Sequence, residues 1–213
     1  MPASDLDTRE RLLQQATALF AERGFEKVTV RDIVAAAGAN VAAVNYHFAG
    51  KLGLYSEVID RAISLMQQTH DATRGAPAGS SADDRLRLFV HSLVALGDVQ
   101  SDLEWVHQLL RHELENPTPA AQLILRRVMQ PRMRYLCQVI SDLTGGTPDD
   151  EHVRHCAMSV QAQCYFVRNM IRMKGRLRAA GLAESAALSD DDRNAVADHI
   201  VRFSLAGIAT AAH

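Results

Sequence analysis

TVRDIVAAAGANVAAVNYHF, residues 29–48, decides how this chain is read. Val30, Ile33, Val34 and Ala37 recur at helical spacing and predict a short amphipathic helix. Thr29 stands at its N-cap, and Asp32 three residues on completes a capping-box pattern. Gly38 follows the last periodic residue, where a left-handed residue without a Cβ can stop a helix. Asn40 is placed to cap a second short helix, with Val41, Val44 and Phe48 expected to face inward. Helices this short are marginal alone and require neighbours to pack against. Two of them joined by a tight turn, the second presented outward, form the unit that enters a DNA major groove.

The AAxG at Ala36–Gly38, the capped second helix, the Tyr46-His47-Phe48 ending and Lys51 after a short turn together resemble the DNA-binding domain of TetR-family transcriptional regulators. The ending AAVNYHF, with Asn45 where many relatives carry tyrosine, is similar to the CecR (CerR-type) branch. So are the later stretches HELENPTPAAQLILRRVMQPRMRYL and PDDEHVRHCAMSVQAQCYFVRN. The resemblance implies an all-α fold. An N-terminal three-helix helix-turn-helix domain would occupy residues 1–55, and a larger helical effector-binding and dimerisation domain residues 56–213. Ala49-Gly50 and Leu52 depart from the family pattern, which commonly has a better cap and an acidic residue there.

The composition sets the surrounding limits. The chain has 213 residues, 47% hydrophobic and 23% charged, the balance of a globular protein rather than a disordered one. No apolar run reaches the length of a membrane span, and the opening MPASDLDTRE is unlike a signal peptide. Cys137, Cys156 and Cys164 form no short paired motif and read as free thiols of a cytoplasmic protein. The net charge is −2, and residues 1–55 hold six basic and six acidic side chains. Bulk charge therefore gives DNA binding no support, and local placement must carry it.

Outward from the core stretch, residues 7–23 predict a first helix, with Asp7 and Glu10 as a capping box and Gly24 as its end. A long helix runs from Lys51 to about His70. Residues 74–82, RGAPAGSSA, read as a loop. Helical patterns follow to Gly97, from Ser101 to Glu115, over about 119–144 with a kink at Pro131, from Asp149 or Asp150 to about Arg176, and from Ser189 to about Ala211.

Candidate DNA-contacting residues are Thr29, Arg31, Asn40, Ala42, Ala43, Asn45, Tyr46, His47 and Lys51. Ala42 and Ala43 are small enough for the helix backbone to approach the groove. Asn45 suits the bidentate edge of adenine, and equally a phosphate or solvent. Arg31 suits a phosphate or a surface carboxylate. The resemblance implies phosphate contacts for Tyr46 and His47, with Lys51 at a helix start beside them.

The last two long helices carry apolar residues on two faces: Met158, Ala162, Phe166 and Met170 lie off the main stripe of one, while the other has Val196, Ile200, Phe203 and Gly207 on one line and Ala197, Val201, Leu205 and Ile208 on another. A helix apolar on two sides must bury both, which a homodimer would achieve. Five of the seven methionines fall on the helices around Pro131 and Cys164, and serve equally as core filler or as a malleable pocket wall. The pocket candidates are His107, Arg111, Met129, Met133, Gln163, Tyr165, Phe166, Asn169 and Met170. The resemblance implies a small-molecule effector that releases a dimeric repressor from palindromic operator DNA, with no cofactor, no membrane and no enzymatic activity. Alternatives are a metal-responsive regulator using His152, His155 and Cys156, and a helical adaptor that binds only protein.

Overall fold

The computed structural model describes residues 3–74, 76–77, 79–95, 103–182 and 189–210. All regular structure among them is helical: α1 Ala3–Lys27, α2 Val30–Ala37, α3 Val41–Phe48, α4 Lys51–Arg74, α5 Ala82–Ala95, α6 Glu104–Glu115, α7 Pro119–Ile124, a π turn Leu125–Met129, α8 Gln130–Thr144, α9 Glu151–Ala179 and α10 Asp190–Thr210. The expected helix end at Gly97 and start at Ser101, and Gly75 and Ala78 of the loop, lie outside the described residues. The chain divides into two compact units, one of Met1–Gln67 with Asp102–Val128, the other of Gln68–Ser101 with Met129–His213.

In the first unit, α1 begins at Ala3 rather than at Asp7. The Asp7 carboxylate pairs with Arg11 one turn on, so it makes no capping box with Glu10. Gly24 interrupts α1 at φ 79°, ψ 167°, and the chain resumes one further turn to Lys27. A Cβ at Gly24 would lie 3.0 Å from His112 Nδ1, so glycine serves here both for its positive φ and for the close approach of α6. Leu12, Ala16 and Phe20 of α1, with Val28, Ile33, Val44, Leu54, Val58 and Ile59, are all without exposed surface.

Helices α6 and α7 belong to this first unit, although a boundary near residue 55 would assign them to the second domain. Tyr55 and Glu113 show why. The Tyr55 ring meets Phe20 edge-on and Phe25 at a tilt, at 4.9 and 4.7 Å between centroids, and its hydroxyl donates to the buried Glu113 carboxylate. Glu113 also accepts from the Thr118 amide at 3.1 Å and the Thr118 hydroxyl at 2.9 Å. Burial, with the carboxylate beside it, pushes the Tyr55 hydroxyl far above its ordinary pKa. A buried carboxylate with three donors is satisfied, and it ties residue 55 to residue 113 through polar chemistry that no periodicity displays.

The kinked helix expected over 119–144 keeps those bounds and is built of α7, the π turn and α8 in unbroken succession. Proline lacks the N–H that would bond the carbonyl four residues back. For Pro131 that carbonyl belongs to Arg127, and it accepts from Gln67 Nε2 at 3.2 Å. The wider π turn, placed just before the proline, takes up the mismatch.

In the second unit α5, α8, α9 and α10 share one core that includes Phe89, Leu93, Leu136, Ile140, Val160, Ile200 and Val201. Arg85–Asp142 (2.6 Å) and Arg87–Asp198 (2.6 Å) pair across its surface. The Ser189 cap of α10 is present, with Ser189 Oγ accepting from the Asp192 amide at 3.1 Å. Asp150 precedes α9 as expected, but its carboxylate turns back to the Thr147 amide and hydroxyl instead of capping. Helix α9 ends at Ala179, a turn's fraction beyond Arg176.

Candidate nucleic-acid interface

Backbone chemistry positions the helix-turn-helix. Thr29 Oγ accepts from the Asp32 amide at 3.2 Å, while the Thr29 amide (2.8 Å) and hydroxyl (2.6 Å) both donate to the Asp32 carboxylate. These bonds hold the Asp32 carboxyl below its ordinary pKa. Both Thr29 donors are engaged within the cap. What the start of α2 offers an anion is therefore the Arg31 guanidinium and the amides of Val30 and Arg31, since those of Asp32 and Ile33 are bonded to Thr29.

Gly38 closes α2 in the left-handed region at φ 60°, ψ 39°. Asn40 Oδ1 accepts from the Ala43 amide at 2.9 Å and opens α3. At the far end of α3 the left-handed position is occupied by Ala49, φ 56°, the one non-glycine residue of positive φ among those described. A Cβ at Gly53 would lie 1.7 Å from the Phe48 carbonyl oxygen. Glycine at 53 thus lets the first turn of α4 press against the end of α3 and fixes where Lys51 emerges.

Val44 and Phe48 of α3 are buried, whereas Val41 is 46% exposed at the outward N-terminus. The expectation that Val41 faces inward is corrected: one residue from the exposed Asn40 cap and beside the exposed Ala42, Val41 joins the outward face. Ala42, Asn45 and Tyr46 share that face, with Tyr46 71% exposed. Ala43 and His47 are half-buried at its edge, the His47 ring edge-on to Tyr46 at 4.9 Å. Asn45 Oδ1 points toward the α3–α4 turn, 3.9 Å from a Cβ built at Gly50. Thr29, Arg31 and Asn40 are exposed around the same surface.

The charges sort themselves. Arg9 pairs with Glu57, Arg11 with Asp7 and Arg23 with Glu22. Among the described residues no carboxylate forms an ion pair with Lys27, Arg31 or Lys51. Lys51 Nζ lies 4.2 Å from the centre of the Phe25 ring, which steadies the cation without neutralising it. The even count of acids and bases in residues 1–55 therefore conceals three cations without an acidic partner among the described residues. Arg31 stands in the first turn of α2 and Lys51 just after α3, whereas Lys27 lines a cleft with His112, Glu113 and Glu115. Val41 was absent from the sequence-derived set, although solvent-facing spacing in the first turn would have indicated it.

The predicted pocket residues divide between the units. His107, half-buried, and Arg111, exposed, lie on α6 in the first; Met129, Met133, Gln163, Tyr165, Phe166, Asn169 and Met170 lie in the second. Phe166 and Asn169 face outward from α9, while Met133, Tyr165 and Met170 are half-buried. The polar feature of the second unit's interior is different. Arg132 of α8 and Arg168 and Arg172 of α9 are all buried, at 3%, 6% and 6% exposure. Arg168 stacks on Tyr165, its Cζ 4.3 Å from the ring centre. Burial pushes the Arg132 guanidinium below the usual arginine range; the Tyr165 hydroxyl opposes that shift and Arg168 adds to it. Burial also pushes the Cys164 thiol up to about 12, with Arg168 pulling the other way. The signal was available in the sequence: Val160, Cys164, Arg168 and Arg172 follow one another at steps of four, which places arginines on a buried stripe.

The other faces of α9 and α10 are apolar and exposed. Met158, Phe166 (67%) and Met173 line one, and Phe203 (62%) stands on the other. Between them runs a groove of about 240 Å³ lined by His155, Ser159, Gln163, Phe203 and Gly207 among others. Cys156 Sγ is 3.4 Å from His152 Nε2, while His155 turns toward Glu151 at 3.8 Å. Among the described residues no group of three or more His, Cys, Asp or Glu side chains is arranged to hold a metal ion.

Residues 12–58 match the family described as bacterial regulatory proteins, tetR family, and residues 82–208 the C-terminal domain of the HTH-type transcriptional dual regulator CecR. The chain belongs to the TetR family, in its CecR branch. It is 27% identical over 150 residues to CecR of Shigella flexneri, a stretch that covers 67% of each chain. Similarity to YttP of Bacillus subtilis, a probable HTH-type transcriptional regulator, is 26% over 90 residues and spans 44% of that relative. Among solved structures, a transcriptional regulator from Pseudomonas aeruginosa PAO1 shares the fold at TM-score 0.67 and 20% identity, over 93% of this chain and 90% of that one. AibR, solved in complex with isovaleryl coenzyme A and operator DNA, shares it at TM-score 0.63 and 14% identity, over 92% and 97%.

Proposed function

We propose that this protein is a dimeric transcriptional repressor that reads a palindromic operator through α3 and releases it when a small molecule binds the C-terminal helical domain. One observation carries the DNA-binding part: an exposed α3 face of Val41, Ala42, Asn45 and Tyr46, with Arg31 in the first turn of α2 and Lys51 just after α3, both without acidic partners among the described residues. In this reading Lys51, Arg31, Tyr46 and His47 meet phosphates and set the register. Asn45 and Val41 meet base edges, the amide at adenine and the valine at a thymine methyl.

Dimerisation would cover the apolar outer faces of α9 and α10, around Met158, Phe166 and Phe203, with a second copy of the chain in a four-helix arrangement. Two recognition helices would then meet half-sites about 34–36 Å apart. Helix α4 runs unbroken from Lys51 into the second unit, so a shift of its far end would move the start of α3's neighbouring turn. A coupling of about 1–3 kcal/mol would weaken operator binding roughly 5–150-fold. CecR-branch membership, AibR's operator and coenzyme A thioester complex, and the lack of a membrane-length apolar helix among the described residues support a cytoplasmic, ligand-responsive regulator.

The test is selection of binding sites from a random DNA pool by the purified full-length protein, followed by gel shift at fixed salt. A reproducible palindrome is expected, with Tyr46→Ala weakening all DNA and Asn45→Ala losing discrimination between sites. Failure to enrich any site would return the protein to the adaptor reading.

A further inference from the structure

Arg132 and Arg168 are buried inside the second unit, and the side chain of neither takes part in a hydrogen bond or ion pair with any described residue. The Nε atoms of both are among the buried polar atoms without a partner. The ring contact of Arg168 with Tyr165 uses none of its N–H groups. Burying a guanidinium costs several kcal/mol unless a counter-charge compensates, and hydrophobic residues of similar volume would serve the core as well or better. Placing two like charges in one interior region adds their mutual repulsion. Such an arrangement makes structural sense with an anion among the guanidinium groups, where repulsion becomes shared attraction. Their planar forks match the paired oxygens of a carboxylate or phosphate.

We propose that Arg132 and Arg168, with Tyr165 beside them, form the acidic-head subsite of the effector site, so that the effector is a small molecule bearing a carboxylate or phosphate group. The regulatory consequence rests on the effector-release reading above; the binding of the anion does not. Met133, packed against the same core, is positioned to adapt to an apolar remainder.

The experiment uses full-length protein with three probes at constant ionic strength: octanoate, inorganic pyrophosphate and uncharged octanamide. At a hundred times its Kd, a binding anion should raise the melting temperature by about 5–10 °C, and octanamide should not. A shift with octanoate assigns a carboxylate head, one with pyrophosphate a phosphate head, and either upholds the site. Arg132→Met and Arg168→Met should weaken the active probe at least tenfold by calorimetry while the unliganded variants melt no lower than wild type. A structural role predicts the reverse: earlier melting and unchanged probe affinity. If a methionine variant does not fold, Arg168→Lys supplies the comparison, since a lysine keeps the charge but loses the fork and should still weaken the probe. No anion-specific shift, or variants that bind like wild type, would overturn the proposal. An anion that binds through the arginines yet leaves the selected DNA bound would refute release while the subsite stands. DNA binding without any anion binding would refute the subsite alone.

Discussion

Replacing Lys51 by methionine isolates the electrostatic part of operator binding. Methionine keeps an unbranched apolar stem over the Phe25 ring, where Lys51 Nζ now sits 4.2 Å from the centroid, and removes only the charge. Two cations per protomer at the reading face, Arg31 and Lys51, lack acidic partners among the described residues, so the proposed dimer would bring four. At about 0.9 per neutralised phosphate, log K should fall against log salt with a slope near −3.6. Between about 50 and 200 mM salt that is a loss of roughly 150-fold in affinity. Lys51→Met removes two of the four charges, so the slope should flatten to about −1.8 and the loss over the same range to roughly 12-fold. Gel-shift titrations on the selected operator at three salt concentrations measure both slopes, with circular dichroism melting as the folding control. A folded variant that keeps the wild-type slope would show that Lys51 meets no phosphate and that its exposure beside α3 is incidental.

Four further outcomes are expected. Glu113→Ala strands the Tyr55 hydroxyl and the Thr118 amide in a buried site and should cost about 3–5 kcal/mol in denaturant unfolding; a cost below 1 kcal/mol would mean water replaces the carboxylate. Ala49→Gly relieves a left-handed alanine at the end of α3 and should stabilise by about 0.5–1 kcal/mol, and a lowered unfolding midpoint would contradict this. Phe203→Glu places a charge on the exposed apolar face of α10 and should shift the proposed dimer to monomer in sedimentation velocity, whereas an unchanged dimer would relocate the interface. Asp32, Asp142, Asp150, Asp192 and Asp198 are all held below the ordinary 3.8 by hydrogen bonds to hydroxyls, amides, a guanidinium, a side-chain amide or an imidazole. Their folded pKa values are depressed, so their contribution is complete above 3.8 and is lost as pH falls through the folded values. Asp32→Asn, Asp150→Asn and Asp192→Asn combined should flatten the acid limb of stability below pH 4 relative to its plateau; an acid limb as steep as wild type would assign acid unfolding to other groups.

The sequence alone determined whatever depends on neighbours within a turn or two. The Thr29–Asp32 box, the Gly38 stop, the Asn40 cap and the Ser189 cap are each a bond between residues three apart or a single backbone angle. Helical periodicity likewise separated the buried line of α9 from its exposed Met158 and Phe166. Tertiary structure decided what depends on meetings between distant residues. Glu113 is an ordinary surface type until Tyr55 and Thr118 surround it, and that meeting draws α6 and α7 into the first unit. Pro131 announces a break, but only the approach of Gln67 shows how the freed Arg127 carbonyl is answered. Equal numbers of acids and bases in residues 1–55 say nothing of which cancel; pairing leaves Arg31 and Lys51, next to the recognition helix in sequence, without acidic partners among the described residues. Local bonds are written in local spacing, whereas charge compensation is set by distances through space, which is also why Arg132 and Arg168 show their isolation only in the folded chain.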